Sequence, residues 1–370
     1  MSKYHPDNER MKRKYFIFLK EAKRQDDSSV DAMAKAISRF EEHTKWKDFK
    51  AFHFEQAVAF KRFLANHRNE KTGKPLSKAT VNGTLRNLKA FFQWLAMQTG
   101  YKSRINFTET EYFNLSEKDA RIATASRSRA VPTLEQIRRV LVVMPDTSDI
   151  EKRNKALVAF TILTGARDSA IASLKLKHID LSAGSVFQDA REVKTKASKT
   201  FTTYFFPVEE DIKRIVHDWV DYLKGELLFG NDDPLFPKTS VIRGDSRVFE
   251  AAGVKPEHWS NAAAIRKIFA EAFELAGLTY FNPHSFRNTL VQLGETVCQS
   301  PEEFKAWSQN LGHEGVLTTF YSYGEVQESR QSEIFRMLQK PRSSSQAGGN
   351  IEELAKALAR EMRVQSKSEA

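Results

Sequence analysis

The chain has 370 residues, 41% of them hydrophobic and 11% aromatic, with 58 Lys and Arg against 47 Asp and Glu, so its formal net charge is +11. That length suggests two domains, and the charge favours a polyanionic partner, nucleic acid first and an acidic membrane surface second. One cysteine, Cys298, excludes an intramolecular disulfide and a cysteine-based zinc cluster and suits a reducing cytosol; the apolar run at 15–19 is too short for a signal peptide, and no stretch approaches the ~20 apolar residues of a membrane span.

Residues 1–112 read as helices, with amphipathic stretches near 10–24, 29–43 and 54–67. They also hold most of the charge surplus: residues 1–120 carry 24 Lys and Arg against 15 Asp and Glu. The segment 77–97, SKATVNGTLRNLKAFFQWLAM, places Val81, Leu85, Leu88, Phe92 and Leu95 on one helix face. Its other face offers Lys78, Asn82, Arg86 and Lys89, suited to tracking phosphates and reaching base edges; a solvated helix surface is the plainer alternative.

Periodicity lapses from 113 to 130, a polar, basic stretch that ends before Pro132 and reads as a linker. Thr133 with Gln136 then forms a capping-box pattern for a new helix. Helices dominate from there, except at 185–208, where β-branched and aromatic residues broken by Lys196-Ala-Ser-Lys199 read as strands joined by a hairpin. Residues 341–350, PRSSSQAGGN, read as a flexible connector; 351–370 follow as a terminal helix with Ile351, Leu354, Leu358 and Met362 on one face. The expected fold is mainly α with a small β-sheet or hairpin in its second domain, 131–340.

Three scattered clusters carry chemistry together. TGARDSAIASLKL puts Arg167 between a small-residue turn and an apolar helix; NPHSFRNT puts His284 and Arg287 three apart, on one side of a helix; LGHEGVLTTFYSYG supplies His313 and two tyrosines. Guanidinium groups grip phosphate oxygens in a two-pronged way and stay charged, so two of them can stabilise a phosphodiester under attack. A tyrosine hydroxyl can be the covalent nucleophile, histidines orient or deprotonate it, and a lysine on a hairpin can protonate the leaving oxygen. Lys194, Lys196 and Lys199 all qualify, the plain alternative being that all three only hold DNA phosphates. No acidic cluster with metal spacing accompanies the set, so neither metal nor other cofactor is expected.

The ordered series Arg, hairpin Lys, His-x-x-Arg, Leu-Gly-His and Tyr resembles the tyrosine recombinases, the integrases of phages and conjugative elements and the Xer-type resolvases, from the helical N-terminal part to about residue 335. The resemblance implies a core-binding domain and a catalytic domain that clamp double-stranded DNA, a 3′-phosphotyrosyl intermediate with a free 5′-hydroxyl, and strand exchange through a Holliday junction. It implies a homotetramer on paired recombination sites, a dimer per site, with DNA-bending accessory proteins as possible partners, acting in the cytoplasm at the nucleoid.

By position, the resemblance makes Arg167 and Arg287 the phosphate clamp, His284 and His313 the active-site histidines and Lys196 the general acid, leaving Lys194 and Lys199 to hold DNA. Two departures stand out. The family often has an acidic residue three positions after the first arginine, where this chain has Ala170, with Asp168 nearby. Its tyrosine often lies nine positions after the histidine of Leu-Gly-His, which here is Ser322, between Tyr321 and Tyr323. The pattern before Gly324 favours Tyr323 as nucleophile and Tyr321 as packing. The terminal helix is expected to dock on a neighbouring protomer, and the first helix leaves little room for an arm-binding domain. The competing readings are a type IB topoisomerase or telomere resolvase, which share the residue set, and a catalytically silent architectural DNA-binding protein.

Overall fold

The computed structural model describes residues 4–68, 73–125, 130–243 and 249–313. Contacts divide the chain into two units, residues 1–125 and 126–370, each with its own core.

The first unit holds α1 (Pro6–Ile17), continued by a π-helical turn at Phe18–Ala22, α2 (Asp27–His43), α3 (Phe54–Asn66), α4 (Lys78–Ala96) and α5 (Glu117–Thr124). Ser77 caps α4 by accepting the Thr80 N–H at 3.1 Å, and the expected stripe from Val81 to Leu95 is buried. Phe92 lies at the centre, 4.1 Å from Phe52 and 5.2 Å from Phe40 between ring centroids. Each such fully buried ring contributes about 2–3 kcal/mol. Helix α5 is a correction, because it lies inside the stretch read as linker. It buries no residue, so no apolar stripe announced it; Ser116 caps it, and it packs against α4.

The second unit begins with α6 (Leu134–Val143), which has the full Thr133–Gln136 capping box, and α7 (Asp149–Thr164). Helix α7 is buried without a break from Ala156 to Thr164, which marks it as the central helix. Around it come the four-residue α8 (Asp168–Ile171), β1 (Ile179–Asp180), β2 (Ser185–Gln188), β3 (Phe201–Tyr204) and α9 (Glu210–Gly225), then β4 (Lys238–Arg243), β5 (Phe249–Lys255), α10 (Ala263–Leu275), α11 (Pro283–Val297) and α12 (Pro301–Asn310). Strands β1, β2 and β3 form an antiparallel sheet in that order, with Val186 opposite both Ile179 and Thr203, and β3 is an edge.

The expected hairpin is therefore β2–β3, but residues 189–200 separate its strands, and Lys196–Ser198 form a 3-10 turn within that longer loop. The antiparallel pair β4–β5 is a second correction, in a region read as helical. Among the described residues, no helix is long and apolar enough to cross a membrane.

Candidate active site

Gly165 ends α7 in a left-handed conformation, φ 59°, and turns the chain so that Arg167 becomes the N-cap of α8. A Cβ at Gly165 would lie 2.9 Å from both Leu290 and Leu311, so glycine serves the turn and the close approach together. Arg167 is half-buried, and that burial pushes its pKa down. With Asp168, Arg266, Asn282, Pro283 and His284 it lines a cleft of about 320 Å³. Asp168 pairs with Arg266 on α10: its Oδ2 accepts from Nε at 2.8 Å and lies 2.8 Å from Nη2 as an ion pair, while Oδ1 accepts the Ser169 N–H at 2.9 Å. Ala170 is buried in the core.

The lysine loop is tied down at both ends. At its start, Ser169 Oγ donates to the Lys194 carbonyl at 3.2 Å, and Ser173 Oγ accepts the Lys194 N–H at 2.9 Å. At its base, the Ala190 N–H donates to Thr200 Oγ1 at 3.0 Å. Beyond it, Asn310 at the end of α12 pairs with the edge strand. Tyr204 N–H donates to Asn310 Oδ1 at 2.7 Å, and Asn310 Nδ2 donates to the Tyr204 carbonyl at 2.9 Å. Lys194 and Lys196 are exposed and Lys199 is partly so.

Asn310 leads directly into Leu311-Gly312-His313. Leu311 is fully buried, and Gly312, at φ 66°, passes so close to the Phe201 ring that a Cβ would lie 2.7 Å away. His313 follows, its N–H bonded to the Ser308 carbonyl at 3.2 Å.

Arg287, 3% exposed on α11, draws these pieces together. Its Nη1 donates to the Gly165 carbonyl and its Nη2 to the Leu311 carbonyl and, at 3.1 Å, to His313 Nε2. A guanidinium only donates, so His313 Nε2 is the acceptor and the neutral ring carries its proton on Nδ1. Arg287 Nε is buried with no hydrogen-bond partner among the described residues.

Burial, then the charge of Arg167, push the Arg287 pKa down. Burial, followed by the charges of Arg287 and Arg167, pushes His313 down to about 4. His284 moves the same way for the same causes in the same order. Lys196 adds a smaller effect on both rings. The structure puts Arg287 in contact with His313 and sets Arg167 and His284 along one cleft. Tyr323, Tyr321, the connector and the terminal helix lie outside the described residues.

In the first unit, Asn82, Arg86 and Lys89 line a cleft of about 550 Å³ that is closed by residues of α5 and the segment before it. Two of the lysines are engaged there: Lys78 with Asp119 at 2.9 Å, and Lys89 with Glu111 at 2.7 Å.

Sequence reading missed Arg266, Ser169, Ser173 and Asn310. Ser169 and Ser173 had a signal, a four-residue spacing that puts both hydroxyls on one side beside Arg167. Asn310 adjoins the Leu-Gly-His motif, but nothing local marks Arg266.

The family model described as phage integrase family matches residues 131–330. The tyrosine recombinase XerC of Lactobacillus leichmannii is 22% identical over 262 residues, 69% of this chain and 76% of that one. XerC of Halalkalibacterium halodurans is 21% identical over 326 residues, 87% and 94% of the two chains. Among solved structures, a lambda integrase dimer bound to a COC′ core site superposes with a TM-score of 0.58 at 12% identity, covering 86% of this chain and 96% of that one, a likeness of fold. The chain belongs to the phage integrase family. Within it, the protein is a tyrosine-type site-specific DNA recombinase, a DNA strand-transferring enzyme.

Proposed function

We propose that Tyr323 attacks a DNA phosphate held by Arg167, displaces the 5′-oxygen and leaves a 3′-phosphotyrosyl bond. Lys196 gives its proton to that 5′-oxygen, and a 5′-hydroxyl from a partner strand later reverses the step, so strands exchange through a Holliday junction. His284, kept neutral by burial and nearby cations, takes the tyrosine proton. His313, with its proton on Nδ1, donates to a phosphate oxygen. Arg287 acts as a buried charge, which low dielectric makes effective at a distance, and as the clamp that sets Gly165 and His313 in place. The observation that carries this reading is the contact set of Arg287, whose guanidinium holds the Gly165 carbonyl two residues before Arg167, the Leu311 carbonyl and His313 Nε2, beside the cleft that Arg167 and His284 line together.

The partner is a double-stranded recombination site, which the basic N-terminal unit and Lys194 and Lys199 grip through phosphates. The enzyme works in the cytoplasm on nucleoid DNA, with two protomers per site and four on paired sites. The apolar groove of about 700 Å³ lined by Phe201, Phe205, Val297 and Trp307 receives residues 351–370 of the neighbouring protomer. DNA-bending accessory proteins assist assembly at sites that need them.

The test is a nicked suicide duplex that traps the adduct, followed by mass spectrometry. A nucleotide on Tyr323, lost in Tyr323→Phe, is expected; one on Tyr321 overturns the register, and none on any tyrosine overturns the mechanism. Deleting 351–370 is expected to leave binding to one site and abolish paired-site complexes. Unchanged pairing overturns the docking.

A further inference from the structure

Helix α8 has four residues, too few to fix its own direction. Yet it presents Arg167 at its N-cap and, through Ser169 within it and Ser173 just beyond its end, the segment holds the main chain of Lys194. Two ties hold it from within the unit: Ala170 and Ile171 are buried, and His258 Nδ1 donates to the Ala172 carbonyl at 3.2 Å. On the cleft side it is held by Asp168, whose carboxylate spans from the first turn of α8 to the first turn of α10.

We propose that Asp168 and Arg266 form a positioning pair that locks α8, and with it the Arg167 guanidinium and the lysine loop, in the orientation for cleavage. The proposal rests on the reading that Arg167 and Lys196 act at the phosphate. The pair joins residues 98 positions apart, and Asp168 is only 25% exposed, so its carboxylate is partly shielded from competing water and ions. The geometry also argues against Arg266 as a third phosphate ligand. Its Nε donates to one carboxylate oxygen and its Nη2 lies 2.8 Å from the same oxygen, so one edge of the fork faces Asp168 and its charge is offset within the cleft.

Asp168→Asn, Arg266→Gln, the double variant and the charge exchange Asp168→Arg with Arg266→Asp are compared in the full chain on a suicide duplex. Dissociation constants and the cleavage rate of the saturated complex are measured separately. Each single variant is expected to slow cleavage of bound DNA by about 10–100-fold, as misplacement by an ångström does. Affinity is expected to stay within about twofold, with the double variant no slower than the worse single, as coupled partners require. The charge exchange regains part of the rate.

A duplex with sulfur at the 5′-bridging position needs no proton on its leaving group. It is expected to recover part of the loss, because α8 also places the lysine loop. Weaker binding with unchanged cleavage of bound DNA in Arg266→Gln makes it a phosphate contact and overturns the proposal. Arg167→Ala separates the two levels. Its loss of cleavage beside wild-type rates in Asp168→Asn and Arg266→Gln overturns the pair alone, whereas its wild-type rate overturns both.

Discussion

Arg287 works almost entirely out of solvent, and its two main-chain partners are what make it irreplaceable. A lysine keeps the charge but offers one point of donation where the guanidinium spans two carbonyls. Arg287→Lys is therefore expected to leave buried acceptors unpaired and lower the unfolding free energy by about 3 kcal/mol in a urea titration, besides abolishing cleavage. His313 gives a second residue-scale expectation. In the folded protein it resists protonation until about pH 4, while the unfolded chain takes the proton near 6.5. Between those values the unfolded state binds more protons, so this contribution to stability is complete above about pH 6.5 and is lost as pH falls toward 4. Melting temperature should decline over that window, less steeply in His313→Asn, and the ring resonances should titrate with a midpoint near the lower value. Arg167, His284, Arg287 and His313 were legible because each sits in a short motif whose local geometry survives folding. The Asp168–Arg266 pair was not, since only tertiary structure brings those residues together.

At the scale of elements, the lysine loop is held in place by its neighbours. Asn310 supplies β3 with a donor and an acceptor on its open edge, standing in for a further strand. Asn310→Ala should speed exchange of the Tyr204 amide proton by about tenfold and slow cleavage, with α7 amides unaffected. Apolar periodicity read the helices of both units well, and it failed where burial does not govern. Helix α5 is held by its cap and by ion pairs, and the antiparallel β4–β5 pair carried a usable sign in the sequence, Val241 and Ile242 running into Gly244-Asp245, which a helical expectation overrode.

For the whole molecule, the decisive feature is the pair of separate cores. The first is dense in aromatic rings, with Phe40, Phe52, Phe92 and Phe113 in mutual contact. Residues 1–125 alone are expected to melt cooperatively in calorimetry; a broad, non-cooperative trace would show that this core needs the rest of the chain. That unit also carries Lys78 and Lys89, already satisfied by Asp119 and Glu111. When a DNA phosphate takes such a lysine, the duplex sheds a counterion but the abandoned carboxylate gathers one from solution, so the exchange is nearly neutral in ions. The salt dependence of binding should then be shallower than the basic surface suggests, and Asp119→Asn with Glu111→Gln should steepen its slope by about two. With that shallower slope, the enzyme is expected to keep its grip on DNA over a wider range of ionic strength than its charge alone would give.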